Sequence, residues 1–237
     1  HQRKAGGSSV RIQLNDYATH RKLLSYIACF RGATCDIYSM PQTKFYSIYG
    51  GHFYWGSQNV FTRKGLDSRL KFSCFTNIRE PMSRMKSCLN SRHVSSIRGR
   101  CLNDLPLDEL ERLMRKPDMF GSSCLNEVFR IMSGVLDEDI LDHIDETTLM
   151  GLSILNRTVV HLQKCPPLIL GVPKSYDLLN QRFSADLNFS ISADVHDNAL
   201  KSHVCNITSV DHLELMTRLV KPESMIYEAV LEKVLSP

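Results

Sequence analysis

Apolar and polar positions along this chain repeat with two different periods, and the pattern predicts an α/β protein. Residues 10–30 carry apolar side chains at helical spacing, with Leu14 and Tyr17 on one face, and are predicted as a single helix. Residues 45–49 and 71–78 are rich in aromatic and β-branched side chains, which is typical of strands. Because residues 71–78 are apolar on both faces, they are expected to lie centrally in a parallel sheet.

The second half of the chain is predicted to be mainly helical. Helical spacing of apolar residues covers residues 105–114, 126–135, 147–163, 175–183, 211–220 and 223–235. Asp211 and Pro222 suit the cap and first-turn positions of the last two helices. Residues 168–172 are predicted as a third short strand. The acidic residues 137–146 match no calcium-binding loop and are interpreted as a solvated turn, while residues 184–209 are expected to be irregular.

Composition and charge narrow the class of protein only a little. A length of 237 residues suits one domain, and the 43% hydrophobic and 23% charged residues are ordinary for a globular protein. No run approaches the ~18 apolar residues of a membrane span. The net charge of +4 favours an anionic ligand but is too small to indicate a nucleic-acid-binding protein. Because the chain starts at His1, we expect that an N-terminal leader or anchor has been trimmed.

Cysteines and glycosylation sequons point to a compartment. The 8 cysteines contain no C-x-x-C pair, so no zinc or other metal site is expected, and their even number is compatible with disulfides. Sequons for N-glycosylation occur at Asn156, Asn188 and Asn206. Together these features favour the lumen of the secretory pathway. The alternative is a cytosolic protein with buried free thiols, and Cys74, inside a predicted strand, is itself expected to be a buried thiol.

The first residues of the chain have the composition of a phosphate-binding loop. Glycines let the backbone approach an anion closely, consecutive N–H groups form a concave anion site, and a following helix adds its dipole. A lysine and two hydroxyls would complete the site, which comprises Lys4, Ala5, Gly6, Gly7, Ser8 and Ser9. The lysine precedes the glycines, so this is not the loop of ATP- or GTP-binding proteins. A flexible glycine-containing terminus is the alternative interpretation.

Two further positions carry candidate chemistry at the ends of predicted strands. His52 follows residues 45–49 in a G-H-F setting beside Trp55, and its near-neutral pKa range suits a general base. The alternative is an aromatic-rich turn with a hydrogen-bonded histidine. Arg79 ends the strand at residues 71–78 and is followed by a helix that presents Ser83 and Ser87 on one face. This arrangement predicts a second anion site, although an arginine that merely caps the sheet is also credible.

Two basic segments are candidates for contact with an anionic polysaccharide. The first contains Arg63, Lys64 and Arg69, and the second contains Arg92, Arg98 and Arg100. Ordinary solvated loops explain both segments equally well, since runs of charge usually face water.

These motifs, taken in order, resemble the carbohydrate sulfotransferases of the Golgi, the group that includes heparan sulfate 2-O- and 6-O-sulfotransferases and their bacterial relatives. The resemblance rests on K-A-G-G-S-S at residues 4–9, G-H-F at residues 51–53, and a strand running into R-E-P-x-S-R-x-x-S at residues 79–87. The closing residues 220–234 also resemble the final helix of that family. Glutamate stands at position 80 where the family usually has aspartate, and residues 91–104 and 184–209 match no family motif.

The resemblance implies a fold: a P-loop-like α/β three-layer sandwich whose central, mostly parallel sheet is flanked by helices, with residues 1–237 as one N-terminally trimmed domain. It also implies a 3′-phosphoadenosine 5′-phosphosulfate (PAPS)-dependent enzyme without a metal, which transfers a sulfuryl group to a hydroxyl of a glycan. The full-length protein would then be a type II membrane protein of the Golgi.

The resemblance further implies roles for particular residues. His52 would be the general base, and Lys4 would assist the leaving nucleotide. Ala5 and residues 6–9 would hold the 5′-phosphosulfate together with Lys4, and Arg79 and Ser87 would hold the 3′-phosphate. Acceptor contacts are expected from His52, Trp55, Arg63, Lys64 and Arg92. The alternatives are a catalytically silent module that binds sulfated glycans, a sulfotransferase acting on protein tyrosine or a small alcohol, and, ranked low, a P-loop phosphotransferase.

Overall fold

A computed structural model of the chain describes residues 7–28, 46–57, 73–90, 100–115, 124–194 and 207–236. Within these ranges the protein is α/β. Its strands are β1 (Ser25–Ile27), β2 (Ile48–Gly50), β3 (Thr76–Ile78) and β4 (Pro167–Ile169). Its helices are α1 (Gly7–His20), α2 (Pro81–Leu89), α3 (Leu107–Arg115), α4 (Glu127–Met132), α5 (Glu138–Asp142), α6 (Leu149–Lys164), α7 (Pro173–Leu187) and α8 (Val210–Leu235), with a 3₁₀ turn at Leu102–Asp104.

The strands form two parallel pairs. β1 pairs with β2 so that Tyr26 lies opposite Tyr49, and β3 pairs with β4 so that Asn77 lies opposite Leu168. The predicted α/β class and the parallel pairing of its strands are therefore confirmed. Within the described ranges the strands form two separate two-stranded sheets. These pairings establish the α/β class, but they do not establish one central sheet flanked by helices.

Helices cover both faces of the β3–β4 pair, because alternate residues of a strand point to opposite faces. Phe75 and Leu168 belong to an apolar cluster with residues of α1 and α7. Ile78 and Ile169 belong to a second cluster with residues of α4, α6 and α8. All three residues of each strand are buried. The expectation that the apolar segment ending at Ile78 is covered on both sides is thus met at its last three residues.

The prediction of one helix over residues 10–30 is wrong. α1 ends at His20, and Lys22 adopts a left-handed conformation with φ 55° before the chain enters β1. The backbone N–H of Leu23 donates to the carbonyl of Ala18 at 2.8 Å and closes this turn. The helical spacing of apolar residues therefore continues into β1 only by coincidence. This strand forms its hydrogen bonds with β2, which lies more than twenty positions away in the sequence.

The last helix also differs from prediction, because Pro222 does not separate two helices. α8 is continuous through Pro222, although proline lacks an N–H and should weaken the helix there. Packing explains the continuity. The first half of α8 contributes Met216 and Val220 to the cluster with α2 and α3, and the second half contributes Ile226 and Val230 to the cluster with α4 and α6. Burial on two clusters outweighs the local preference of one residue.

The acidic segment 137–146 is not simply a solvated turn. Asp137 caps the short helix α5 by accepting hydrogen bonds from the N–H groups of Asp139 and Ile140. Asp142, at the end of α5, is buried and forms an ion pair with the buried Arg130 of α4. Residues 184–187, expected to be irregular, instead complete α7. The helices predicted at 105–114, 147–163 and 175–183 are present as α3, α6 and α7 with displaced ends.

Among the residues that the structure describes, two cysteine pairs lie at disulfide distance. Cys74 pairs with Cys165 across a Cα–Cα distance of 5.0 Å, and Cys88 pairs with Cys124 across 5.9 Å. The first pair joins the segments that lead into β3 and β4, and the second joins the end of α2 to the segment before α4. The expectation that Cys74 is a buried thiol was wrong, since parallel pairing of β3 and β4 brings its partner alongside.

Candidate functional site

The predicted site residues divide into those that the structure describes and those that it does not. Some of the predicted residues lie outside the described residues, and their roles stay predictions. These are Lys4, Ala5, Gly6, Arg63, Lys64, Arg69, Arg92 and Arg98. The described ones are Gly7, Ser8, Ser9, His52, Trp55, Arg79, Ser87 and Arg100. The guanidinium of Arg100 forms an ion pair with Glu109 at 3.0 Å.

The second half of the predicted phosphate loop forms the first turn of α1. The helix begins at Gly7, which is buried, and Ser8 and Ser9 follow in that turn. The guanidinium of Arg11 donates to the hydroxyl oxygen of Ser8 at 3.2 Å and to the carbonyl of Ala28 at 3.3 Å. Ala28 directly follows β1. The positive end of the α1 dipole therefore lies beside the carboxyl end of β1, where it favours an anion.

His52 lies at the same end of the β1–β2 pair. β2 ends at Gly50, and a Cβ placed on the next residue, Gly51, would lie 2.8 Å from the Cβ of Ala28 and 3.0 Å from the ring of Phe53. Glycine at position 51 is thus required by close approach to β1. His52 follows immediately and is half-buried. His52, which directly follows the contact of Gly51 with Ala28, and the first turn of α1 are therefore both at the carboxyl end of β1.

Arg79 follows β3 and is half-buried. Burial lowers the pKa of its guanidinium, the charge of Arg84 acts in the same direction, and the charge of Glu80 opposes both. The carboxylate of Glu80 accepts hydrogen bonds from the backbone N–H groups of Met82 at 2.8 Å and Ser83 at 2.6 Å. Glu80 therefore caps α2 and occupies two of the N–H groups that an anion would use.

The predicted second anion site is therefore arranged differently from expectation. Its cation is Arg79, whereas the start of α2 already holds a carboxylate. Burial on its own would raise the pKa of Glu80, but the hydrogen bonds from Ser83 and Met82 and the charge of Arg79 lower it overall. Ser87, half-buried in the last part of α2, lies one turn beyond Ser83 on the same side of the helix.

Tyr227 of α8 is an electrostatic neighbour of this site. Burial raises the pKa of its phenol, and the charge of Glu80 adds to the shift. The phenol therefore lies within electrostatic reach of the Glu80 carboxylate. No sequence motif singles out Tyr227 or Arg11. The only signal for either residue was helical spacing, since Arg11 lies one turn after Ser8 and Tyr227 lies one turn from apolar neighbours.

α1 runs antiparallel to β1, which fixes where its first turn lies. Its first half contacts the carboxyl end of β1 through Arg11, and its last turn leads into the start of β1. Near the end of α1, Tyr17 packs edge-on against Phe189 at 4.9 Å, and Phe189 packs against Phe75, which directly precedes β3. The first turn of α1 therefore lies at the carboxyl end of β1, where the segment carrying His52 also lies, whereas Arg79 follows β3 of the other strand pair.

Trp55 has a packing partner in the helical layer. Its indole stacks on the imidazole of His161 in α6, with ring centroids 4.0 Å apart and planes 10° from parallel. The backbone N–H of Trp55 donates to the carbonyl of Ile131, and Nδ1 of His161 lies 2.6 Å from the carbonyl of Met132. These contacts hold the segment after His52 against α4 and α6. A role for Trp55 in acceptor binding stays a prediction.

The chain matches no known protein family, no curated protein and no solved structure. Across the described ranges, no helix is both long and apolar enough to cross a bilayer. The same ranges contain no group of three or more histidine, cysteine, aspartate or glutamate side chains arranged to hold a metal ion.

Proposed function

We propose that this protein is a PAPS-dependent sulfotransferase that transfers a sulfuryl group to a hydroxyl of a carbohydrate acceptor. One observation carries the proposal: the first turn of α1, a half-buried histidine and a half-buried arginine adjoin the carboxyl ends of parallel strands. In open α/β sheets, nucleotides bind outside the carboxyl ends of the strands. The proposed fold is the P-loop-like three-layer sandwich, and the proposed compartment is the Golgi lumen, consistent with two disulfide pairs.

In the proposed reaction the acceptor hydroxyl attacks sulfur as the bond from sulfur to the nucleotide's 5′-phosphate oxygen breaks. His52 accepts the hydroxyl proton. Lys4 neutralises the charge that develops on the departing phosphate oxygen. The N–H groups at the start of α1 and the Ser8 hydroxyl hold the phosphosulfate in line with the attacking oxygen. Arg79 binds the 3′-phosphate and thereby selects this nucleotide over ATP.

The first test is a thermal-shift titration with 3′-phosphoadenosine 5′-phosphate against ATP. A ligand at one hundred times its Kd adds about 2.7 kcal/mol to the free energy of unfolding. We expect stabilisation by the bisphosphate and little by ATP. Equal stabilisation by both nucleotides would favour a phosphotransferase, and no response to either would exclude a nucleotide site.

Two variants separate binding from catalysis. His52→Ala should bind the bisphosphate normally and lose about 10²- to 10⁴-fold in turnover, because it removes the general base. Arg79→Ala should weaken bisphosphate affinity by about 10- to 100-fold, because it removes a charged hydrogen-bond donor. His143→Ala, at an exposed histidine after α5, is the matched control and should change neither quantity. Unchanged turnover in His52→Ala would remove this residue from the mechanism.

A second candidate function is a sulfated-glycan-binding module without catalysis. The observation that favours it is the Glu80 carboxylate, which occupies N–H groups at the start of α2 and places negative charge beside Arg79. Such a module would bind sulfated polysaccharide equally well with and without the nucleotide. Affinity capture on immobilised heparin, measured in both conditions and with desulfated heparin as the control, distinguishes the two functions.

A further inference from the structure

We infer that Asn188 is an N-glycosylation site, which carries an oligosaccharide when the chain passes through the secretory pathway. The inference depends on the two disulfide pairs and on the geometry around Asn188, and not on the proposed enzymatic activity. Disulfides of this kind persist in oxidising compartments, and the same pathway contains the glycosylation machinery. The sequon is Asn188-Phe189-Ser190.

Asn188 projects from the surface at the point where α7 ends. It is exposed and adopts the left-handed conformation, with φ 49° and ψ 44°, and its backbone N–H donates to the carbonyl of Ser184 at 3.0 Å. Asparagine tolerates this conformation better than most residues. The acceptor amide therefore stands on a turn and outside regular structure, which is where a bulky glycan can be accommodated.

The residue between the acceptor and the hydroxyl anchors this turn. Phe189 is buried, and its ring packs against Tyr17 and Phe75. The Tyr17 hydroxyl donates to the carbonyl of Leu187, one residue before the sequon. Burial of the middle residue leaves the two residues that the transferase recognises, Asn188 and Ser190, exposed on either side of it.

Asn156 provides a contrasting sequon in the same chain. It lies in the interior of α6, and the hydroxyl of its Thr158 is fully buried and donates to the carbonyl of Ile154 at 2.8 Å. In the folded protein that hydroxyl is turned away from the exposed asparagine and already has a partner. Asn188 is therefore the better surface acceptor of these two.

The reaction at Asn188 needs an activated sugar donor, which is an oligosaccharide on a polyprenyl pyrophosphate. The side-chain amide nitrogen forms a bond to C1 of the first sugar, the bond from C1 to the pyrophosphate oxygen breaks, and the amide loses a proton. The lipid pyrophosphate is the leaving group, and no oxidation or reduction occurs.

The glycan would lie at the opposite end of the strands from the proposed nucleotide site. α7 begins after the carboxyl end of β4 and runs back, so that the turn at Asn188 reaches Phe75, just before β3 begins. Removal of the glycan should therefore leave bisphosphate affinity unchanged. The two proposals can therefore fail independently. Glycosylation is measured by mass spectrometry at Asn188, whereas the sulfotransferase proposal is measured by nucleotide binding and turnover.

The test is site-specific mass spectrometry of the full chain secreted from eukaryotic cells. Treatment with peptide-N-glycosidase in ¹⁸O water should convert the glycosylated residue (Asn188→Asp) with incorporation of ¹⁸O. Ser190→Ala should abolish the label because it removes the hydroxyl but keeps the turn residue. Asn188→Gly should also abolish it while glycine retains the left-handed turn. Asn156→Gln, the control, should leave the label at Asn188 intact.

The wild-type chain alone decides the outcome, so the test does not depend on folding of the variants. Secreted wild-type protein with the Cys74–Cys165 and Cys88–Cys124 disulfides formed and no label at Asn188 would overturn the inference. Persistence of the label at Asn188 in Ser190→Ala would also overturn it, because the modification would then not be sequon-dependent.

Discussion

At the residue scale, Glu80 has the clearest measurable contribution. Its carboxylate accepts two hydrogen bonds from the first turn of α2, which should stabilise the fold by about 0.5–2 kcal/mol. These bonds and Arg79 lower its pKa in the folded state. Its stabilisation is thus complete above the ordinary glutamate pKa of 4.5 and is lost as the pH falls through the lower folded-state pKa. We expect Glu80→Ala to lower the free energy of unfolding at neutral pH and to differ less from wild type in acid.

Urea denaturation at neutral pH and again well below pH 4.5 measures this difference. Glu228→Ala, at an exposed glutamate of α8, is the matched control and should change stability by less than about 0.5 kcal/mol at either pH. A deficit in Glu80→Ala that stays the same in acid would show that Glu80 acts through packing instead of charge.

At the element scale, a buried ion pair joins α2 to α8. The guanidinium of Arg84 donates to Oε2 of Glu223 at 2.6 Å and to the carbonyl of Cys124, and Oε1 of Glu223 accepts from the backbone N–H of Val128. Arg84 is 0% exposed and Glu223 is 1% exposed. Removal of one partner leaves a buried charge without compensation, so Glu223→Gln should cost about 3–5 kcal/mol. Chemical denaturation measures that loss.

The double variant Arg84→Met/Glu223→Leu tests the reason for this loss. It removes both charges and fills similar volume, so its loss of stability should be much smaller than that of Glu223→Gln. The exposed pair of Arg100 and Glu109 is the comparison, and Arg100→Ala should cost less than about 1 kcal/mol. A double variant as unstable as the single one would mean that the hydrogen bonds, and not the charges, hold the helices together.

Among the helices and strands, hydrophobic periodicity predicts some elements well and misses others. Periodicity predicted α3, α6 and α7 correctly, because each helix buries one apolar face. The residues of such a face recur at helical spacing in the sequence. β1 was missed because its pairing depends on β2, which is distant in sequence. The break predicted at Pro222 was wrong because two apolar clusters hold α8 on both sides of it.

At the scale of the whole molecule, the candidate site was predictable only in part. His52 and Arg79 could be proposed from sequence because each directly follows a strand-like run, and strand ends carry ligands in α/β proteins. The hydrogen bond from Arg11 to Ser8, the position of Tyr227 near Glu80 and the capping role of Glu80 arise from contacts that spacing alone does not encode. The roles of the site residues therefore stay predictions until nucleotide binding is measured.

The two disulfide pairs between described cysteines should contribute strongly to the stability of the whole molecule. They close loops with sequence separations of 91 and 36 residues, and chain-entropy arguments assign roughly 4–5 kcal/mol to loops of this length. That is a large share of the roughly 5–15 kcal/mol that stabilises a typical domain. We expect Cys88→Ser/Cys124→Ser to lose about 2–4 kcal/mol in chemical denaturation, and full reduction of the wild type to lose more.

The Cys88–Cys124 pair gives the more specific test, because its contacts indicate which helices should lose protection from hydrogen exchange first. Cys124 also accepts a hydrogen bond from Arg84 through its backbone carbonyl, so the disulfide and the buried ion pair hold the same junction of α2, α4 and α8. Loss of the disulfide should therefore speed amide hydrogen exchange in α2 and α4 before it affects α7, which packs elsewhere. Exchange that accelerates equally in all three helices would mean that the disulfide stabilises the fold only through the unfolded chain.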